Sequence, residues 1–207
     1  MSAFVVGLTG QMGAGKSTVG TMLRELGAKV LDADALVHDE QLRGTVGYSA
    51  IVQTFGTKIL GEDKEIDRAK LAAEVFGDPL KLQRLERIVH PRVIARVLEA
   101  RAMLPDEAVL VVEAIKLLQG ELRKASNTIW VVVAPRERLI ERLAARGMRP
   151  REAELRLGSQ LTEKQFRAAA DTVIANEGDL DQTRERVRAA WDRLRAARVR
   201  SSSGPGC

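Results

Sequence analysis

The chain has 207 residues, 45% hydrophobic and 29% charged, with a formal net charge of +5 and a single cysteine, Cys207. That length and composition support an α/β domain with insertions and exclude a disordered chain, while one cysteine excludes a disulfide framework and a thiolate metal site. No apolar run reaches the roughly 18–20 residues of a membrane span, and residues 1–4 lack the basic start of a secretory signal, so a cytoplasmic protein without a membrane partner is expected.

The run Phe4-Val5-Val6-Gly7-Leu8 predicts a strand. A glycine-rich stretch over 10–15 follows, then a helix with Val19, Met22, Leu23 and Leu26 on one face, closed by Gly27. Lys29-Val30-Leu31 predicts a second strand, ending at Asp32-Ala33-Asp34. This is the opening of a parallel α/β sheet. Residues 35–104 show no strand and predict helices over 35–42, 46–55, 67–76 and 79–89, resuming after Pro91 to 103. Asp67 and Asp78 stand at helix N-cap positions, with Pro79 at a first helical position. His90 before Pro91 marks a helix break, because proline disfavours helical geometry in its predecessor. The block reads as an insertion between strands, a common place for substrate recognition, with Arg92 and Arg96 as guesses for ligand contacts.

Strands resume at Ala108-Val109-Leu110-Val111-Val112, ending at Glu113, and at Ile129-Trp130-Val131-Val132-Val133. Such continuous apolar runs suit strands covered on both faces. Residues 136–170 predict an arginine-rich helical pair broken at Gly147-Met148-Arg149-Pro150. Thr172-Val173-Ile174-Ala175 predicts a fifth strand, followed by a helix to about Val199 and a low-complexity tail over 200–207 expected to be disordered. The fold class is a three-layer α/β/α arrangement around a five-stranded, mostly parallel sheet. Residues 1–34, 105–135 and 171–199 make its core, 35–104 a helical insertion and 136–170 a lid.

Gly10-Gln11-Met12-Gly13-Ala14-Gly15-Lys16-Ser17 fits the phosphate-loop pattern G-x-x-x-x-G-K-[ST]. Backbone N–H groups wrap phosphates there, which requires glycine where side chains would collide or φ turns positive. The helix beginning near Lys16 directs its N-terminal partial charge at the same anion. Lys16 is expected to reach the β- and γ-phosphates of ATP and the Ser17 hydroxyl to ligate Mg²⁺. Asp32 and Asp34, at the end of a sheet strand, line a ligand crevice. Either can accept the proton of an attacking hydroxyl, or one can simply cap the helix that follows.

GTPases, ATPases and small-molecule kinases all use such a loop. A short chain, a helical insertion after the second strand, an arginine-rich lid and the absence of an Asn-Lys-x-Asp signature favour a kinase. Of 33 basic residues 24 are arginine, and seven fall between Arg136 and Arg156, where a lid would meet phosphates. A nucleic-acid module is the competing reading of a basic chain, but seven aromatic residues are too few for base-stacking platforms. Two histidines without cysteine partners argue against a zinc site. His38 lies four residues after Asp34, on the same helix face, as a crevice wall or a solvated side chain.

Gly7-Leu8-Thr9-Gly10 leading into the loop, Asp32-Ala33-Asp34, His90-Pro91, Arg142 and Arg146, Gln160, Ala170-Asp171, and Ile174-x-Asn176-x-Gly178 together resemble the dephospho-CoA kinase family. The resemblance covers nearly the whole chain in the family's order. It implies ATP-dependent phosphorylation of the ribose 3′-hydroxyl of dephospho-CoA, giving CoA and ADP as the last step of coenzyme A synthesis. It also implies a core, a helical CoA-binding domain and a lid. Carried onto this chain, Gly13, Ala14, Gly15, Lys16, Ser17 and Thr18 hold the ATP phosphates, and Asp34 is the catalytic base, with Thr9 and Asp32 beside it. Arg142 and Arg146 supply lid charge, Arg142 with a catalytic share alongside Lys16; Asn176 sits near the adenine, and His90 lines the substrate site. The chain departs from the family where a Pro-Leu-Leu run ending in Glu is common, and reads Glu113-Ala114-Ile115-Lys116-Leu117-Leu118-Gln119 instead. At the strand end Glu113 either orients a Mg²⁺-bound water or caps the next short helix, and Lys116 is assigned to a phosphate of the acceptor.

Overall fold

Short apolar strands separated by amphipathic helices favour a parallel sheet, since each strand must be reached by a crossover connection. A computed structural model describes residues 2–202. The elements run β1 (Phe4–Gly10), α1 (Lys16–Glu25), β2 (Lys29–Asp32), α2 (Ala33–Asp39), α3 (Val46–Phe55), α4 (Arg68–Val75), α5 (Pro79–Ala102) and β3 (Val109–Glu113). There follow α6 (Leu122–Ala125), β4 (Thr128–Val133), α7 (Arg136–Ala145), α8 (Pro150–Gly158), α9 (Glu163–Ala168), β5 (Thr172–Ala175) and α10 (Leu180–Ser202). Two compact units result, one of residues up to Leu31 with those from Leu104 onward, the other Asp32–Met103.

The sheet has the order β2-β3-β1-β4-β5. β1 pairs in parallel with β3 on one side and β4 on the other, and β4 with β5. The register sets Leu8 opposite Glu113 and Gly10 opposite Val132, so the carboxyl ends of three central strands converge where the glycine-rich loop leaves the sheet. β1 is two residues longer than its apolar run, because Thr9 and Gly10 still pair with Val131 and Val132. Leu8, Val111, Trp130 and Ile174 are buried in the core, with Val19 and Leu23 of α1 and Val187 and Trp191 of α10 packed into the same cluster. α1 closes as expected at Gly27, which takes φ 98° while Ala28 N–H donates to Leu23 O and Gly27 N–H to Arg24 O.

In the second unit α2, α3 and α4 pack on the long α5, which buries Val89, Val93 and Val97 at one-turn spacing. Asp67 caps α4 and Asp78 caps α5, each carboxylate accepting two backbone N–H bonds. The expected break at His90 does not occur: α5 continues through Pro91. Proline removes one N–H from the ladder, and the Arg92 guanidinium donates to Ile88 O at 2.9 Å across the affected turn. Arg96 reaches Asp39 at 3.2 Å and Arg92 lies 3.7 Å from Glu40, so both guessed ligand arginines tie α5 to the end of α2.

Residues 136–170 contain three helices rather than two, because Thr162 and Gln165 form a reciprocal capping box that starts α9. The tail expected to be disordered from residue 200 begins inside α10, which runs to Ser202; residues 203–207, Cys207 among them, lie outside the described residues. Nor is the basic surplus confined to residues 136–170. α10 carries seven arginines against Asp181, Glu185 and Asp192, and two of them serve the fold, Arg186 donating to Ala175 O and Arg198 to the carbonyls of Asp106 and Glu107.

Candidate active site

Three glycines shape the loop between β1 and α1, at φ 147° for Gly10, 81° for Gly13 and 95° for Gly15. A Cβ on Gly10 would stand 2.2 Å from Val132 O, and one on Gly15 2.1 Å from the Asn176 Nδ2. Conformation and space therefore both demand glycine at these two positions. Gly15 is the N-cap residue of α1 and offers no side chain, so the first N–H groups of the helix, from Lys16 through Thr18, are presented to an anion. The Lys16 ammonium folds back over the loop, donating to Gly10 O at 3.1 Å and Gln11 O at 3.3 Å, and is buried.

The Ser17 hydroxyl donates to Glu113 Oε1 at 3.0 Å. Glu113 is 7% exposed at the end of β3, and Gly20 makes room for it: a Cβ there would lie 3.3 Å from Glu113 Oε2. The capping alternative for Glu113 does not hold, since the turn at Leu117–Gln119 has Lys116 at its cap and α6 has Glu121, neither with a side-chain cap bond. Among the described residues no three His, Cys, Asp or Glu side chains converge on a metal position. One hydroxyl and one carboxylate form the sparse oxygen set that suits Mg²⁺, which keeps water and phosphate oxygens as its other ligands.

Four side chains brace the loop from behind and at its tip. Arg142 Nη1 donates to Gly13 O and Ala14 O, each at 3.3 Å, and its Nη2 to Asn176 O at 3.1 Å. Asn176, 4% exposed, donates from Nδ2 to Ala14 O at 2.8 Å. At the tip, Met12 N–H donates to Gln160 Oε1 and Gln11 Nε2 to Leu161 O. Burial first, then the charges of Arg138 and Arg146, push the Arg142 guanidinium down from its ordinary value. Arg146 stands one turn further on, at the C-cap of α7.

The remaining expected site residues are placed as follows. Thr9 is fully buried and donates to Ile115 O at 3.3 Å, anchoring the turn after β3. Lys116 is exposed at that turn. In the second unit Asp32, the last residue of β2, is the N-cap of α2, its Oδ1 accepting from the N–H groups of Asp34 and Ala35 at 2.9 and 3.0 Å. Asp34, half-buried, lies in the first turn of α2. His38 is exposed near the end of α2, and His90 is exposed on α5. The sequence gives no role to Gln11, a variable position of the loop motif, or to Thr183, whose buried hydroxyl donates to Asn176 Oδ1 at 3.0 Å and which no motif marks. The chain's mid-helix Gly20 was the available signal for the approach of Glu113.

A phosphate-binding loop at the carboxyl end of the central strand of a parallel sheet, with an arginine helix on its back, defines the class as a P-loop α/β phosphotransferase. Shikimate kinase from Acinetobacter baumannii shares this fold, with a TM-score of 0.55 at 18% identity over 94% of each chain. Residues 4–182 match the dephospho-CoA kinase family model. The chain is 40% identical over 190 residues to dephospho-CoA kinase of Symbiobacterium thermophilum, spanning 90% of this chain and 80% of that one. Dephospho-CoA kinase from Campylobacter jejuni superposes with a TM-score of 0.69 at 25% identity, over 94% of this chain and 98% of that one. This chain belongs to the dephospho-CoA kinase family and is a kinase of α/β fold.

Proposed function

We propose that the chain transfers the γ-phosphoryl group of ATP to the ribose 3′-hydroxyl of dephospho-CoA, giving CoA and ADP, the last step of coenzyme A synthesis. The observation that carries this reading is the glycine-shaped loop over 10–17, with Lys16 folded across it, in a chain whose residues 4–182 match that family. The N–H groups of Gly13 and of Gly15 to Thr18 hold the phosphates, the Ala14 N–H being used within the loop on Gln11 O, and the Lys16 ammonium offsets charge on the β- and γ-phosphoryl oxygens. Asp34 takes the proton of the 3′-hydroxyl as its oxygen bonds to the γ-phosphorus. The bond from that phosphorus to the bridging oxygen breaks, and ADP leaves with the electron pair.

Ser17 and Glu113 would hold Mg²⁺, which when bound neutralises charge on the β- and γ-phosphates. Arg142 and Arg146 bring fixed positive charge to the nucleotide side, with Asn176 supporting the loop there. Thr9, Asp32, His90 and Lys116 are assigned to the acceptor side. Small molecules, and neither nucleic acid nor a membrane, are the partners in this reading, and the cytoplasm is the location. No helix of the described residues is long and apolar enough to cross a membrane.

A coupled ADP-release assay over an acceptor panel tests the proposal. Dephospho-CoA should support turnover while nucleosides and shikimate do not. Silence with dephospho-CoA alongside turnover on another hydroxyl would assign the chain a different acceptor.

A further inference from the structure

Thr183 makes no hydrogen bond to the phosphate loop itself, yet it is fully buried and polar. Its hydroxyl lies 3.0 Å from Asn176 Oδ1 and 3.0 Å from Asp179 O. Arg142 Nη2 approaches the same Oδ1 at 3.4 Å, a weaker contact. The single hydroxyl hydrogen serves either Asn176 Oδ1 or Asp179 O; given to Oδ1 beside Arg142 Nη2, it adds to the hold of Ala14 O, 2.8 Å from Nδ2, on the orientation of the Asn176 amide. A flipped amide would set oxygen against oxygen at that point.

The consequence reaches the ligand side through peptide planarity. In a trans peptide the carbonyl and the following N–H point in opposite directions. Holding Ala14 O from behind with Asn176 and Arg142 turns the Gly15 N–H to the other side, towards the start of α1. Gly13 O is held by Arg142 alone, while Ala14 N–H closes the turn onto Gln11 O. The donors that would meet phosphate are thus fixed before any anion arrives, which is how a preorganised site avoids reorganisation on binding.

We infer that Thr183 is a positioning residue for nucleotide binding, acting through Asn176 and Arg142 on the peptide planes of the phosphate loop. The inference rests on the nucleotide reading of that loop but not on the identity of the acceptor. Thr183→Val keeps the side-chain shape and removes the hydroxyl, and Thr183→Ser keeps the hydroxyl and removes a methyl.

The test measures ADP affinity calorimetrically in the presence of Mg²⁺, with a thermal melt on each variant. Thr183→Val should weaken ADP binding roughly five-fold, the scale of one net hydrogen bond. Thr183→Ser should bind as the wild type does. Asn176→Asp, which faces Ala14 O with an oxygen, should weaken it by more than about ten-fold, and Arg142→Lys should also weaken it. In turnover, Thr183→Val should raise KM for ATP and leave KM for the acceptor unchanged. Loss of kcat with both KM values unchanged would mark a purely structural role and overturn the inference. So would a folded Thr183→Val with wild-type ADP affinity, or a Thr183→Ser as weak as Thr183→Val. Should Thr183→Val not fold, wild-type ADP affinity in Asn176→Asp and Arg142→Lys would overturn it equally. A wild-type protein that binds no ADP would remove the nucleotide reading and the inference together, whereas ADP binding without turnover on dephospho-CoA would count only against the acceptor.

Discussion

Gly15→Ala tests whether the loop geometry is the basis of nucleotide binding. Gly15 sits in the left-handed region at φ 95° and ψ 28°, where an L-residue costs about 1–2 kcal/mol. Its new Cβ would lie 2.1 Å from Asn176 Nδ2, so Asn176 must leave Ala14 O, at a further cost of about 1 kcal/mol. The sum, roughly 2–3 kcal/mol, corresponds to about 30- to 150-fold if it falls on the bound geometry. ADP titration by calorimetry reads that loss, and a thermal melt reads any part that falls on folding instead. Gly27→Ala is the control: its φ is 98°, yet nothing lies within 4 Å of the added Cβ. It should lower stability by a similar strain energy and leave ADP affinity unchanged. A Gly15→Ala protein that melts as the wild type does and binds ADP within about two-fold would refute the reasoning from loop geometry.

Asp34→Asn should lower kcat by at least about 100-fold, the scale of an acid–base group, with KM for ATP little changed; near wild-type turnover would remove Asp34 from proton transfer. Glu113→Gln retains an acceptor for the Ser17 hydroxyl but loses the buried charge, so the Mg²⁺ concentration for half-maximal rate should rise about ten-fold. An unchanged Mg²⁺ titration would place the ion elsewhere. Thr162→Ala removes one half of the capping box and should lower stability by about 1 kcal/mol in a denaturant titration, without altering Mg²⁺ dependence.

The sheet was readable because its strands are continuous apolar runs, and the helical insertion because Asp67, Asp78 and Pro79 are local stop-and-start signals. The phosphate loop was readable because its motif spans only eight residues. Pro91 misled, since a proline's local preference was outweighed by the burial of Val89, Val93 and Val97 along one continuous face of α5. The third helix of residues 136–170 is marked by Thr162 and Gln165, three residues apart, a short signal set among many arginines. Between Asp32 and Asp34 the sequence offers no choice; the backbone makes Asp32 the cap, because its carboxylate meets the Asp34 and Ala35 N–H groups. The Ser17–Glu113 pair and the Thr183–Asn176–Ala14 relay join residues from separate elements. Only the registers of β1 with β3, of β1 with β4 and of β4 with β5 bring such groups together, and no local pattern encodes them.

The most direct measurement of the central claim is product analysis after incubating the protein with ATP, Mg²⁺ and dephospho-CoA. Mass and phosphorus spectra should show one added phosphoryl group, on the ribose 3′-oxygen, formed in equal amount with ADP. ADP without a phosphorylated acceptor, or a phosphoryl group on any other oxygen, would contradict it.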